Sequence, residues 1–202
     1  MSLVRYAVNA SELNIRESEV LRYLGYDPKL VTEADLQMVQ NLREEVIGKI
    51  APKAVYDRFR IELPKEGVID MPYGRVVSKD LYNNLKGCEE VYIFAATIGA
   101  EYDRLVKRSS IRSMANAAVI NSIGATAVEE LCDMLNEMLR LEALEEGHAL
   151  RPRYSPGYGD LALENQKGIF SVLLPEKNLS LTLKDNLIMA PEKSVTAIIG
   201  IV

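Results

Sequence analysis

The sequence predicts an α+β fold with a mainly antiparallel sheet, and three features carry that expectation. Helical spacing of apolar residues fills much of 16–50 and 113–145. The run Val91-Tyr92-Ile93-Phe94-Ala95-Ala96 is apolar on both faces, and the tail opening "SVTAII" is rich in β-branched residues. Helical and extended stretches are interspersed without a regular βαβ count, which favours α+β over a parallel arrangement. With 202 residues and no internal repeat, low-complexity tract or linker, one domain spanning 1–202 is expected, with 1–50 as its helical N-terminal segment. The opening "MSL" is set aside as an expression remnant.

The elements follow in order. Arg16 to Leu24 reads as a short helix with Ile15, Val20, Leu21 and Leu24 near one face, ended by Gly25 and followed by a turn at Tyr26-Asp27-Pro28. Thr32-Glu33-Ala34-Asp35 has the form of a capping box, and Leu36, Val39, Leu42, Val46, Ile47 and Ile50 continue it at helical spacing. After Ala51-Pro52, a strand is expected from Ala54 to Leu63, closed by Pro64. Val68 to Met71 reads as a partner strand, "PYGR" as a turn, and Lys79 to Lys86 as a short helix. The doubly apolar run from Val91 suits a central strand covered on both sides. A helix should begin near Ala100. The stretch from Ser113 to Glu145, free of proline, should form a long helix with Val119, Ile123, Val128, Leu131, Leu135, Met138 and Leu141 as its buried stripe. Leu161 to Leu174 reads as helix, Pro175 to Asn178 as a turn, and Leu183 to Met189 and Ser194 to Val202 as strands.

Composition narrows the functional classes. Hydrophobic residues make up 48% and charged residues 26%, the proportions of an ordinary soluble globular protein. A net charge of -5 argues against nucleic acid or an anionic membrane as partner, since binding phosphates needs clustered Lys and Arg. No apolar run spans a bilayer and no secretion leader is visible, so a cytoplasmic location is expected. Cys88 and Cys132 lie far apart, and His148 is the single histidine, so metal, redox and Ser/His/Asp chemistry have little to build on. No phosphate loop, dinucleotide fingerprint, zincin or calcium-loop motif is present.

Four lesser candidates have ordinary readings beside functional ones. Thr97-Ile98-Gly99 at a helix start offers free N–H groups to an anion but also reads as an ordinary cap. Cys88 has only Lys86 as a nearby cation and reads as a structural thiol. His148 sits just past the long helix as a cap or decoration of its end, and Glu142 to Glu146 reads as a solvated face.

The stretch "RPRYSPGYGD", residues 151–160, is chemically denser. Pro156 fixes φ, Gly157 and Gly159 permit close approach to the main chain, Tyr154 and Tyr158 offer stacking faces and hydroxyls, and Arg153 offers a fork for a carboxylate. The residue types suit a zwitterionic ligand, and they equally suit a surface turn.

Its surroundings add a resemblance. With "EELCDMLNEML" before it, "ENQKGIF" after it and the tail "LKDNLIMAPEKSVTAIIGI", the segment "RYSPGYG" resembles the RxxxGY pattern of the S-adenosylmethionine-binding activation domain of cobalamin-dependent methionine synthase. The segment "EVLRYLGY" is similar to the start of that family's short, free-standing members. The resemblance implies a twisted antiparallel sheet flanked by helices. It also implies a role in repair: the methyl of S-adenosylmethionine and an electron from a flavodoxin-type donor restore a cob(II)alamin that has left its cycle. The cobalamin itself would be held by the partner, a cobalamin-dependent methionine synthase or another corrinoid protein. The chain would then be a component of a methyltransferase rather than an independent enzyme, with no catalytic side chain and no metal of its own.

Carried over by position, Arg153 matches the motif arginine that faces the methionine carboxylate, and Gly157 and Tyr158 match its GY. The intervening Tyr154, Ser155 and Pro156 complete the expected binding loop. Glu129 is the match for a helical glutamate that meets the ligand ammonium, with Glu130 one residue away and a solvated helix face as the alternative for both. Departures from the pattern fall at Gly159-Asp160 and at Lys184-Asp185-Asn186, and no counterpart of the family's first aspartate contact is found. Arg151 and Pro152 are read as the approach to the loop.

Overall fold

The computed structural model describes residues 3–27 and 29–202. Met1, Ser2 and the Pro28 end of the expected turn lie outside the described residues, while Leu3 packs against the core.

Four antiparallel strands form the principal sheet, in the order β1-β2-β6-β9: β1 (Val4–Ala7), β2 (Lys53–Arg60), β6 (Glu90–Thr97) and β9 (Ser194–Ile201). Because strand side chains alternate, β6 feeds two cores at once. Tyr92, Phe94 and Ala96 enter one, and Val91, Ile93 and Ala95 enter the other. All six are essentially inaccessible, which is why this strand had to be apolar on both faces.

The first face is covered by α1 (Glu17–Tyr23), α2 (Glu33–Ile47), α4 (Ala100–Arg112) and α5 (Met114–Glu145). Thr32 caps α2 by the reciprocal bonds with Asp35 that the sequence announced. The 32 residues of α5 reach about 48 Å at 1.5 Å per residue. Its buried stripe includes Val119, Ile123, Val128, Leu131 and Leu135. Met138 is only half-buried and Leu141 is exposed, so the expected stripe drifts outward over its last two members. Gly124 lets α4 approach, for a Cβ there would collide with the Tyr102 ring.

The second face is covered by shorter pieces. β3 (Glu62–Lys65), β4 (Val68–Met71) and β5 (Gly74–Val77) form a small antiparallel sheet beside α3 (Lys79–Leu85), α6 (Asn165–Leu173) and α7 (Pro175–Leu179). β7 (Thr182–Leu183) and β8 (Met189–Ala190) make a minimal hairpin.

The structure departs from several expectations. The single strand from Ala54 to Leu63 is two strands in different sheets: β2 pairs with β6 up to Arg60, and beyond Ile61 the chain pairs with β4 instead. Pro64 lies inside β3, in the register shift of an edge strand, where no ladder N–H is required. In "PYGR", Gly74 and Arg75 already belong to β5. The helix expected from Leu161 begins only at Asn165, and Pro175 starts α7, where its fixed φ suits the first helical position. The strand expected over Leu183 to Met189 is broken by a turn in which Asn186 Oδ1 accepts from the Ile188 N–H. The N-terminal segment 1–50, expected to be helical, opens instead with β1, which pairs with β2 at the edge of the principal sheet.

Candidate functional site

The loop begins as an addition to the sheet. Ala149 and Val202 exchange two backbone bonds, Arg151 N–H donates to Gly200 O, and Tyr154 and Ile198 exchange two more. From the Leu150–Ile201 bridge to the Tyr154–Ile198 bridge, the loop side advances four residues while β9 advances three. The extra residue is a bulge at Pro152-Arg153, a place where proline's missing N–H is no loss.

The bulge decides where the arginines go. In an unbroken strand, residues 151 and 153 would share a face. Here Arg151 turns to the second face, where its guanidinium donates to Lys86 O at 3.0 Å and its stem packs beside Gly200. Arg153 turns to the first face and meets α5. Its Nη2 lies 2.6 Å from Glu129 Oε2 and its Nη1 lies 2.5 Å from Asp133 Oδ1. Burial alone would pull the guanidinium's pKa down, but the hydrogen bond to Asp133 and the neighbouring carboxylate charges outweigh it and hold it above the ordinary arginine value. Glu129 and Asp133 are four residues apart and so stand together on one side of the helix.

Beyond the bulge the chain leaves the sheet in a tight turn. Gly157 takes φ +91°, its N–H donates to Leu161 O at 2.8 Å, and the Tyr154 hydroxyl donates to Tyr158 O at 3.3 Å. Tyr158 projects with 69% of its surface exposed. The next residue, Gly159, has φ +51°, and a Cβ there would run into the Asp80 carboxylate and the Tyr154 hydroxyl.

Asp160 then locks the loop to α3. Its carboxylate accepts from the Ser78 hydroxyl, from Lys79 N–H at 2.7 Å and from Asp80 N–H at 3.2 Å, while its own N–H donates to Asp80 Oδ2 at 3.3 Å. The bond from Ser78 leads the causes that hold this carboxyl below the usual range. The departure at Gly159-Asp160 therefore has a structural task, since it clamps the loop onto the start of a helix.

Between loop and sheet edge lies a cavity of about 490 Å³, within the usual size of small-molecule sites, roughly 300–1,000 Å³. Glu129, Arg153, Tyr154, Ser155, Pro156 and Tyr158 line one side of it. Gln166, Met189, Ser194, Val195 and Thr196 line the rest, at the stretch of β9 the loop has left. Gly157 is not on the wall and serves the turn behind it. Glu130 is not on this cavity's wall; it lines a groove further along α5, and it shares with Glu129 and Asp133 a smaller pocket beside α1.

The residues not foreseen are Asp133, Gln166, Met189 and the Ser194–Thr196 edge. Asp133 was discoverable, being one helical turn beyond Glu129 in "EELCD". Gln166 stands within "ENQKGIF", but nothing in the chain before folding tells that its amide is buried.

Gly99 is the N-cap of α4, and its N–H donates to Thr97 Oγ1. Cys88 and Cys132 are both buried; burial raises the first thiol and pushes the second up to about 12. The His148 N–H bonds to Ala143 O at the end of α5. Glu142 to Glu146 are not uniformly free: Glu142 accepts from Tyr92, and Glu146 pairs with Arg58. Among the described residues, no group of metal-ligating side chains is assembled, and no helix is long and apolar enough to cross a membrane.

No family model matches the chain, and no curated protein matches it. Among solved structures, it is similar to the MetH reactivation domain bound to AdoHcy, with a TM-score of 0.75 at 15% sequence identity. The match covers 99% of this chain and 78% of that one. The chain thus has the fold of that domain, extended over its whole length.

Proposed function

We propose that the protein binds S-adenosylmethionine in this cavity and presents its methyl group for the reductive reactivation of a cobalamin-dependent methionine synthase. The observation that carries the reading is the Arg153–Glu129 pair on the cavity wall. A guanidinium fork and a carboxylate side by side are the complement of an amino-acid head group, whose carboxylate and ammonium are equally close together. The likeness to a reactivation domain bound to AdoHcy supports the same ligand class.

The geometry suits a positioning role. Arg153 and Glu129 hold the head group, the 154–158 turn walls the cavity, and the sheet edge gives a fixed floor. The sulfonium is already electrophilic, so no side chain has to act as base or nucleophile, and orientation supplies the rate. The electron, from a flavodoxin-type donor, and the cobalt nucleophile belong to partner proteins. The protein works as a component of the methyltransferase, in a soluble, cytoplasmic setting. Whether the partner is methionine synthase or another corrinoid protein is decided by which purified corrinoid protein it helps to remethylate.

Calorimetric titration tests the ligand. Wild type should bind S-adenosylmethionine or its demethylated product, and Arg153→Ala should lose about 1.5–3 kcal/mol, roughly 10- to 150-fold, the range for hydrogen bonds to charged groups. No binding to wild type, with or without a corrinoid partner, overturns the proposal. One observation favours a second reading, a docking subunit that takes no ligand: Arg153 is already paired with two carboxylates. Recovery of the corrinoid partner without any effect of Arg153→Ala or Tyr158→Ala on remethylation would select it.

A further inference from the structure

We infer that Gln166 reads the nucleobase of the ligand, pairing its carboxamide with the amino edge of adenine. The inference rests on the proposed binding of an S-adenosyl amino acid and goes beyond it in naming what fixes the base.

Gln166 lies in the first turn of α6, is only 7% exposed, and lines the cavity. Its neighbours at helical spacing, Ile169 and Leu173, are fully buried apolar residues of the second core. A glutamine in that stripe is out of place unless its amide is used. Its Oε1 is buried without a hydrogen-bond partner. Buried polar groups are nearly always paired, so an orphan on a cavity wall points to a partner that arrives with the ligand. The helix is also held firmly at this point. Gly168, two residues on, has the Tyr73 ring laid against it where a side chain would otherwise sit.

Placement says which part of the ligand is met. Arg153 and Glu129 approach the cavity from the first face of the sheet and take both charges of the head group. Gln166 comes from α6 on the second face, leaving it the adenosine end. A carboxamide carries one donor and one acceptor side by side, the match for an exocyclic amino group next to a ring nitrogen of adenine.

The test compares two ligands, S-adenosylhomocysteine and its analogue with unsubstituted purine in place of adenine, titrated into wild type, Gln166→Leu and Gln166→Glu. Wild type should lose about tenfold or more on removal of the amino group, the range for a bidentate base contact. Gln166→Leu should bind the two ligands alike, while Gln166→Glu, which keeps an acceptor, should retain the preference. Gln166→Leu should melt no lower than wild type, because it removes an unpaired buried amide; if it does not fold, wild type and Gln166→Glu decide. An equal preference in wild type and Gln166→Leu, or wild type binding both ligands equally well, overturns the inference and leaves the ligand proposal standing. Failure of wild type to bind S-adenosylhomocysteine at all overturns the ligand proposal and this inference with it.

Discussion

The two faces of the principal sheet are built on different principles. One is covered mainly by α2, α4 and α5, long enough for a helical stripe to repeat several times, with the short α1 beside them. The other is covered by short strands, seven- and nine-residue helices and turns. The cavity lies at the β9 edge where the two coverings meet, with Arg153 and Glu129 contributed on the helical side and Gln166 on the other. The regular face supplies the long-helix frame, and the irregular face supplies contacts from short helices and turns. Rigid elements that carry a site and loops that complete it are a common division of labour.

Breaking the frame should have the largest effect. Leu131 is fully buried in the stripe of α5, and Leu131→Ala should cost about 2–5 kcal/mol, the range for cavities left in a packed core. Denaturant unfolding measures this as a lower midpoint. If the loss is confined to stability and ligand affinity survives below the transition, frame and contacts are separable as described.

An intermediate effect is expected from Gly159→Ala, which acts on the irregular side alone. The left-handed backbone costs a non-glycine residue about 1–2 kcal/mol, and the added Cβ also meets Asp80 and Tyr154. Ligand affinity should fall while the cores are untouched. Equal affinity in this variant would show that the clamp between loop and α3 does not shape the cavity.

The smallest effect, and the one that sharpens the contrast most, is electrostatic. Asp160 has a depressed carboxyl pKa in the folded protein, led by the Ser78 hydrogen bond. Its contribution is therefore fully present above the ordinary carboxylate range and is lost as pH falls through the lowered folded value. Wild type should exceed Asp160→Asn in thermal midpoint at neutral pH, and the gap should close as the solution is acidified below about pH 4. A gap independent of pH would assign the role of Asp160 to shape rather than charge.

The same contrast explains what could be read from the chain. Val119, Ile123, Leu131 and Leu135 announce α5 because four or more turns repeat one rule, and Thr32 with Asp35 announces the start of α2 because a cap is a local bond. Pro64 misled because its meaning depends on whether the strand it sits in is an edge. Leu183 to Met189 misled because apolar residues at both ends hide the Asp185-Asn186 turn. At the site, the loop and Glu129 were legible from residue type and resemblance. The bulge at Pro152-Arg153, which sends Arg151 and Arg153 to opposite faces, was not, because register is a property of two strands and is invisible in one.

The pairing of Arg153 with Glu129 and Asp133 has a consequence for how a ligand would enter. An amino-acid head group that arrives as a zwitterion exchanges partners within the site: its carboxylate takes over the guanidinium while its ammonium takes over a released side-chain carboxylate. The local net charge is the same before and after. Association of the neutral product S-adenosylhomocysteine should then be nearly indifferent to ionic strength, unlike capture of a simple anion by an unpaired arginine, which added salt would weaken.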